Sequence, residues 1–287
     1  MSRLVLFLLL LIPFCLSAQD KLDVRILTAD ECIDSYDVPK AYMLADEVNV
    51  RSCPNTSCTA VAVMRIGQSM KPLERSTEID TVNGVKSHWY KIESGKIKGW
   101  IFGGFIAQYA FGSQTDPSVK FVFGIEKIVE EEVRKVPVYQ IRAFRGQTQL
   151  DKISVRSFSW SMGAAHSLGA QGLDLHDIIS LHVPCVGGCG CSTGDVLVFW
   201  NGTRFSDVHQ LVGIADAWAS EGSSFVFPTD MEGEKDMVIK EDRIFLEEAE
   251  VGGYKRKMVR TFYRWNGQKL VIDPNRKKEV DTYITGG

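Results

Sequence analysis

The sequence predicts an all-β protein, a small barrel followed by an antiparallel β-sandwich or meander. Three observations carry this. Short runs rich in β-branched and aromatic residues recur along most of the chain, with turn residues between them. Asn-Gly pairs stand between such runs at Asn83-Gly84, Asn201-Gly202 and Asn266-Gly267, the strongest short hairpin signal because both residues tolerate positive φ. Only "IEKIVEEEVRK" and "GIADAWAS" read as helix, the former through Ile125, Val129 and Val133 at four-residue steps. Its glutamates, Glu130 to Glu132, read as a solvated face rather than an acid site.

The first element in chain order is a leader. "MSRLVLFLLLLIPFCLSAQD" has a basic start at Arg3, an apolar run from Leu4 to Leu16 and a small-residue exit, the layout of a secretory signal over residues 1–18 with cleavage after Ala18. The apolar run falls short of the about 20 residues a membrane span needs, which disfavours an uncleaved anchor. A lipidated Cys15 is disfavoured by Pro13 and Phe14, which stand where such a signal wants small residues. No second long apolar run follows, so no transmembrane segment is expected after cleavage. An extension, 19–40, precedes the first strand-like run.

Loss of Arg3 with the leader takes the formal charge from −3 to −4, and loss of Cys15 leaves six of seven cysteines. A mildly acidic chain has no electrostatic footprint for nucleic acid. An even cysteine count in an exported protein points to disulfides, and the expected location is periplasmic or cell-surface.

Residues 41–109 carry three barrel signals. "EVNVRS" alternates apolar and polar; "TVNGVKSHWYKI" is a hairpin; "GKIKGWIFGGFI" packs Trp100, Ile101 and Phe102 between glycines. In order and spacing this stretch resembles a bacterial Src-homology-3 (SH3) type domain. Val48 to Ser52 match its opening "Val-Asn-Val-Arg-Ser" strand, Trp89 to Ile92 its Trp-Tyr-Lys-Val strand, and Gly99, Trp100, Ile101 and "FIAQY" its close. The resemblance implies a barrel with an aromatic groove for cell-wall peptides, proline-rich segments or protein partners. The matching aromatics are Tyr42, Trp89, Tyr90, Trp100 and Phe102. Trp89 and Trp100 also suit a barrel core; Tyr42 and Tyr90 are the better surface candidates, since tyrosine can bury its ring and keep its hydroxyl wet.

The stretch departs from the family at Cys53, where glycine is common, and balances it with Cys58. Pro54, Asn55, Thr56 and Ser57 favour a turn that brings the two sulfurs together. Closing so short a loop is worth about 2 kcal/mol. A zinc half-site is the rival, but no Cys/His pair of finger-like spacing lies nearby.

"AFGSQTDPS", 110–118, reads as a linker, and 119–287 as an all-β domain of unknown role. "VLVFWNGTRF" and "TFYRWNGQKLV" resemble one another, which leaves a partial β-propeller as the alternative to a sandwich or meander. In "PCVGGCGCSTGD", Cys185 is expected to pair with Cys189 or Cys191, leaving the third thiol for Cys32. Cys185, Cys189, Cys191 and His182 as a zinc site is the rival. Asn55-Thr56-Ser57 and Asn201-Gly202-Thr203 form glycosylation-type triplets that read as turn chemistry.

"GDVLVFW" and "VHQLVGIAD" loosely resemble pieces of the papain-like cell-wall cysteine peptidases, with His209 near the catalytic-base position. That family's nucleophile is a cysteine well upstream of the Gly-Asp. Residues 119–184 hold none, and His166 and His176 have no visible partner either. The expectation is therefore a non-catalytic, exported binding protein of the bacterial cell envelope, without cofactor or metal. Its expected partner is a peptidoglycan peptide or an envelope protein, and a divergent or inactive peptidase is the alternative.

Overall fold

A computed structural model describes residues 40–131, 135–156, 158, 163–185, 191–215, 219–248 and 253–286. The leader, nearly all of the extension, Cys32 and Cys189 lie outside the described residues. Nearly every regular element is a strand, and every strand pairing is antiparallel.

The first sheet is a curled half-barrel. It comprises β1 (Ala41–Tyr42), β2 (Val48–Arg51), β3 (Ala60–Met64), β4 (Ser69–Val82), β5 (Val85–Ser94) and β6 (Ile97–Phe102), in the order β1-β4-β5-β6-β2-β3. A 3-10 turn, Gly103–Phe105, follows. The β4–β5 hairpin turns at Asn83 (φ 53°) and Gly84 (φ 76°) as the sequence predicts. Its tip does more than reverse the chain. The backbone N–H of Ile128 donates to the Asn83 carbonyl at 3.3 Å, tying the hairpin to the second sheet.

That sheet is a meander of β7 (Tyr109–Gly112), β8 (Val119–Glu130), β9 (Lys135–Arg145) and β10 (Thr148–Arg156). Two expectations are corrected here. The segment read as a linker opens as strand β7, because Phe111 buries its ring 5.5 Å from that of Phe121. "IEKIVE" is the end of β8 and no helix. The four-residue spacing of Ile125 and Val129 overlies the period-2 burial of Val119, Phe121, Phe123 and Ile125, and pairing with β9 outweighs the helical propensity of a few glutamates.

The third sheet runs β11 (Ala165–Ser167), β12 (Asp177–Val183), β13 (Ser192–Trp200), β14 (Phe205–Ala215), β15 (Ala219–Val226), β16 (Val238–Glu248), β17 (Gly253–Trp265) and β18 (Leu270–Ile272) in sequential order, with β19 (Glu279–Gly286) also on β17. This is the meander of the expected alternatives. "GIADAWAS" is likewise strand at both ends, Gly213–Ala215 in β14 and Ala219 onward in β15; 216–218 lie outside the described residues. The two Trp-Asn-Gly hairpins belong to one sheet rather than to two propeller blades. They build the same turn: the side-chain oxygens of Asn201 and Asn266 each accept the backbone N–H groups two and three residues on.

One apolar core joins all three sheets. Met43, Tyr90 and Ile106 from the barrel region meet Phe121 and Phe123 of β8 and Val198 and Trp200 of β13. A second cluster, around Phe199, Leu211, Phe227 and Val238, fills the other face of the third sheet. The barrel is thus seated on the rest of the described chain.

Candidate functional site

On the barrel's outer side lies a cleft of about 330 Å³, lined among others by Asp46, Glu47, Asn49, Arg51, Thr56 and Trp89. Its floor is aromatic. The rings of Trp89 and Phe102 meet edge-on at 5.9 Å, and Phe102 meets Phe105 edge-on at 5.6 Å. The Trp89 indole is held from behind, donating to Asp80 Oδ2 at 3.2 Å, while its backbone N–H donates to the Ser76 hydroxyl at 3.1 Å. A floor fixed by strands and hydrogen bonds keeps its shape when empty, which lowers the cost of binding.

The rim is polar and carries both signs of charge. Asp46 and Glu47 stand on one side, Glu47 at a left-handed φ of 54°. Arg65 bridges both carboxylates, at 3.5 and 3.2 Å. The opposite rim includes the stapled loop. Cys53 and Cys58 are joined by a disulfide with Cα atoms 5.7 Å apart. Inside the loop Asn55 Oδ1 accepts from the Ser57 N–H and hydroxyl, both at 2.9 Å, and Arg51 Nη1 donates to the Cys58 carbonyl at 2.6 Å. Thr56, between the two cysteines, therefore faces the cleft from a loop tied covalently and by hydrogen bonds. The staple is architecture placed at the rim of the cleft.

Of the five aromatics that the resemblance singles out, the cleft brings together Trp89 and Phe102. Tyr42 and Tyr90 are interior, 9% and 0% exposed, which reverses the expectation of wet tyrosines. Trp89 and Tyr90 are neighbours on a strand covered on both faces, so Trp89 turns to the cleft and Tyr90 into the main core. Trp100 is half-buried under Lys91, whose Nζ stands 5.8 Å from the ring centre. Sequence reasoning missed Phe105, Asp46 and Glu47. The signals were there in "GGF" and "ADE", but neither is a strand, and only the fold swings them beside Trp89.

The second cysteine cluster forms a disulfide between Cys185 and Cys191, one of the two expected pairings. His182 Nδ1 lies 3.2 Å from Asp195 Oδ1. Among the described residues no group of His, Cys, Asp and Glu is arranged to hold a metal, and no helix is long and apolar enough to cross a membrane.

His209 sits on β14 with Nε2 2.9 Å from Asp207 Oδ2, its ring edge-on to Phe199 and Phe225. Burial pushes the Asp207 carboxyl up, but His209 and the N–H groups of Leu270 and Val208 outweigh it and hold the group below the usual carboxylate range. The Gly-Asp of "GDVLVFW" has a local explanation: Gly194 takes φ 146°, and a Cβ there would fall 1.9 Å from the Leu211 carbonyl oxygen. All four described cysteines are bonded in pairs.

No curated protein and no solved structure matches the chain. The part of the chain that holds the cleft, its aromatic floor and its stapled loop is the part with a family: residues 46–107 match the bacterial SH3 domain, and the remainder matches no family model.

Proposed function

We propose that this chain is an exported, non-catalytic binding protein of the bacterial cell envelope, and that the barrel cleft holds a cell-wall peptide. The observation that carries the reading is the cleft itself, with an aromatic floor, a rim of both charges and a covalently stapled loop contributing Thr56. Its volume lies at the small end of the about 300–1,000 Å³ range of ligand pockets, which suits a few residues of peptide and not a folded domain. A rim holding carboxylates and a guanidinium suits a ligand that carries amines and carboxylates together. The bacterial SH3 match supports a cell-wall or peptide-binding role, and the two disulfides are compatible with an oxidising, extracytoplasmic compartment.

The test is co-sedimentation of the purified full chain with isolated peptidoglycan. Asn49 and Thr56 are exposed at the rim, so Asn49→Trp and Thr56→Trp should block the cleft while leaving the core intact. The expected result is sedimentation of the wild type and its loss in both variants. Sedimentation unchanged by both variants would remove the cleft from the reading, and release of soluble fragments from the wall would replace binding with catalysis.

A further inference from the structure

A second cleft, of about 640 Å³, lies away from the barrel on the face of β15, β16, β17 and β19. Directly opposed residues of an antiparallel sheet share a face. One row across these strands reads Ser220, Phe245, Arg256, Tyr283; the next reads Gly222, Arg243, Met258, Asp281. From Ser220 to Ser224 this face of β15 carries only Ser220, Gly222 and Ser224, so a trough about 13 Å long runs beside the larger side chains of β16.

The charges around the trough are unlike those of the whole molecule. The chain has a formal charge of −3, yet Arg243 and Arg256 stand on the trough face, with Asp281 as the carboxylate at the far end of the second row; Lys257 and Glu221 border the cleft from the intervening row. Arg243 is set in place by Glu241, which is 1% exposed and whose other oxygen accepts from Arg260 Nε at 2.8 Å. Arg256 has no carboxylate partner among the described residues; its guanidinium lies over the Phe245 ring at 5.2 Å. Tyr283 stands at the edge, 49% exposed, and Met258 adds apolar floor. Oriented cations beside exposed aromatic surface recognise carboxylates carried on an apolar backbone.

We propose that this cleft docks an acidic peptide segment of a partner protein, extended along the Ser220–Ser224 trough with its carboxylates on Arg243 and Arg256. Glu221 and Asp281 interrupt the positive surface, which disfavours the continuous phosphate track of a nucleic acid. The site is separate from the barrel cleft and stands or falls independently of it.

The experiment is fluorescence anisotropy on the full chain, with a labelled octapeptide of alternating Glu and Phe and its Gln-Phe counterpart. The acidic peptide should bind saturably, and the Gln peptide about tenfold more weakly or worse. Arg256→Glu should weaken the acidic peptide by about tenfold or more. Gly222→Leu provides a steric arm without touching charge: a Cβ there meets only the Gly213 Cα at 3.8 Å, so the variant fits the fold and plugs the trough. Lys120→Glu, on an exposed part of β8, and Asn49→Trp in the barrel cleft should leave this binding unchanged. Absence of saturable binding, equal binding of the two peptides, or indifference to both trough variants overturns the proposal. So does tighter binding of a DNA duplex, or a concentration-dependent dimer that Gly222→Leu abolishes, which would assign the trough to a second copy.

Discussion

The hydroxyl of Ser113 donates to Asp177 Oδ2 at 2.5 Å, joining the segment that leaves the barrel to the first long strand of the third sheet. Asp177 is fully buried, and its oxygens also accept from the Gln114 N–H at 2.8 Å, the Ser167 hydroxyl at 2.6 Å and the Thr115 hydroxyl at 3.3 Å. One carboxylate thus satisfies four donors from two parts of the chain. Asp177→Ala strands them together, and we expect a loss of about 3 kcal/mol, read from the urea midpoint at unchanged slope. A loss below about 1 kcal/mol would mean that water enters and replaces the carboxylate.

Gly194 occupies a backbone conformation and a space that exclude a side chain. Gly194→Ala must push β13 away from β14 at Leu211. The expected cost is about 3 kcal/mol or more, with the strain of the positive φ added to the clash. Thermal unfolding monitored by circular dichroism measures it, and an unchanged midpoint would contradict the close approach of the two strands.

Asp207 links two hairpins, accepting from the Leu270 N–H at 2.8 Å as well as facing His209. Asp207→Ala leaves that N–H without its acceptor and should cost about 2 kcal/mol at neutral pH. Because the folded state holds this carboxyl below its ordinary range, the unfolded chain takes up its proton first as pH falls. The stability that Asp207 contributes is complete above the ordinary carboxylate range and fades as pH drops through the folded value. The gap between wild type and Asp207→Ala should therefore narrow in urea titrations from pH 6 down to pH 3. A gap independent of pH would show that the carboxylate's charge plays no part.

Cys53→Ser with Cys58→Ser should cost about 2 kcal/mol, the modest figure of a short loop. Binding at the barrel cleft should suffer more than stability suggests, since the loop carrying Thr56 would have to be ordered at the moment of binding. Equal affinity of wild type and double variant for isolated peptidoglycan would separate the staple from the site. Free thiols at both positions in the unreduced protein, counted by mass spectrometry, would remove the staple altogether.

Much of this fold is legible locally. Asn83-Gly84, Asn201-Gly202 and Asn266-Gly267 each mark a hairpin that forms from local chemistry: both residues take positive φ at Asn83-Gly84, while at the other two the glycine alone does and the asparagine side chain caps the turn. The spacing of Cys53 and Cys58 around Pro54 and Asn55 is similarly self-sufficient, and so is the order of the barrel strands. Ile125 to Glu130 shows where local reading stops: the same residues satisfy a four-residue and a two-residue period, and only the presence of β9 alongside decides for the strand.

By itself, then, the sequence determined an all-β chain with a bacterial SH3 barrel and a stapled loop, since these follow from alternation, turn chemistry and short-range spacing. The tertiary structure decided which aromatics face a ligand. Tyr90 and Trp89 are adjacent, chemically alike and both buried, and which of them lines the cleft depends on how the remaining strands cover the two sheet faces. It also decided that Phe105, Asp46 and Glu47 complete the cleft, and that Arg243 and Arg256 share one trough face. Such groupings are contacts between residues far apart in the chain, set by strand register and curvature, and no local pattern of residues encodes them.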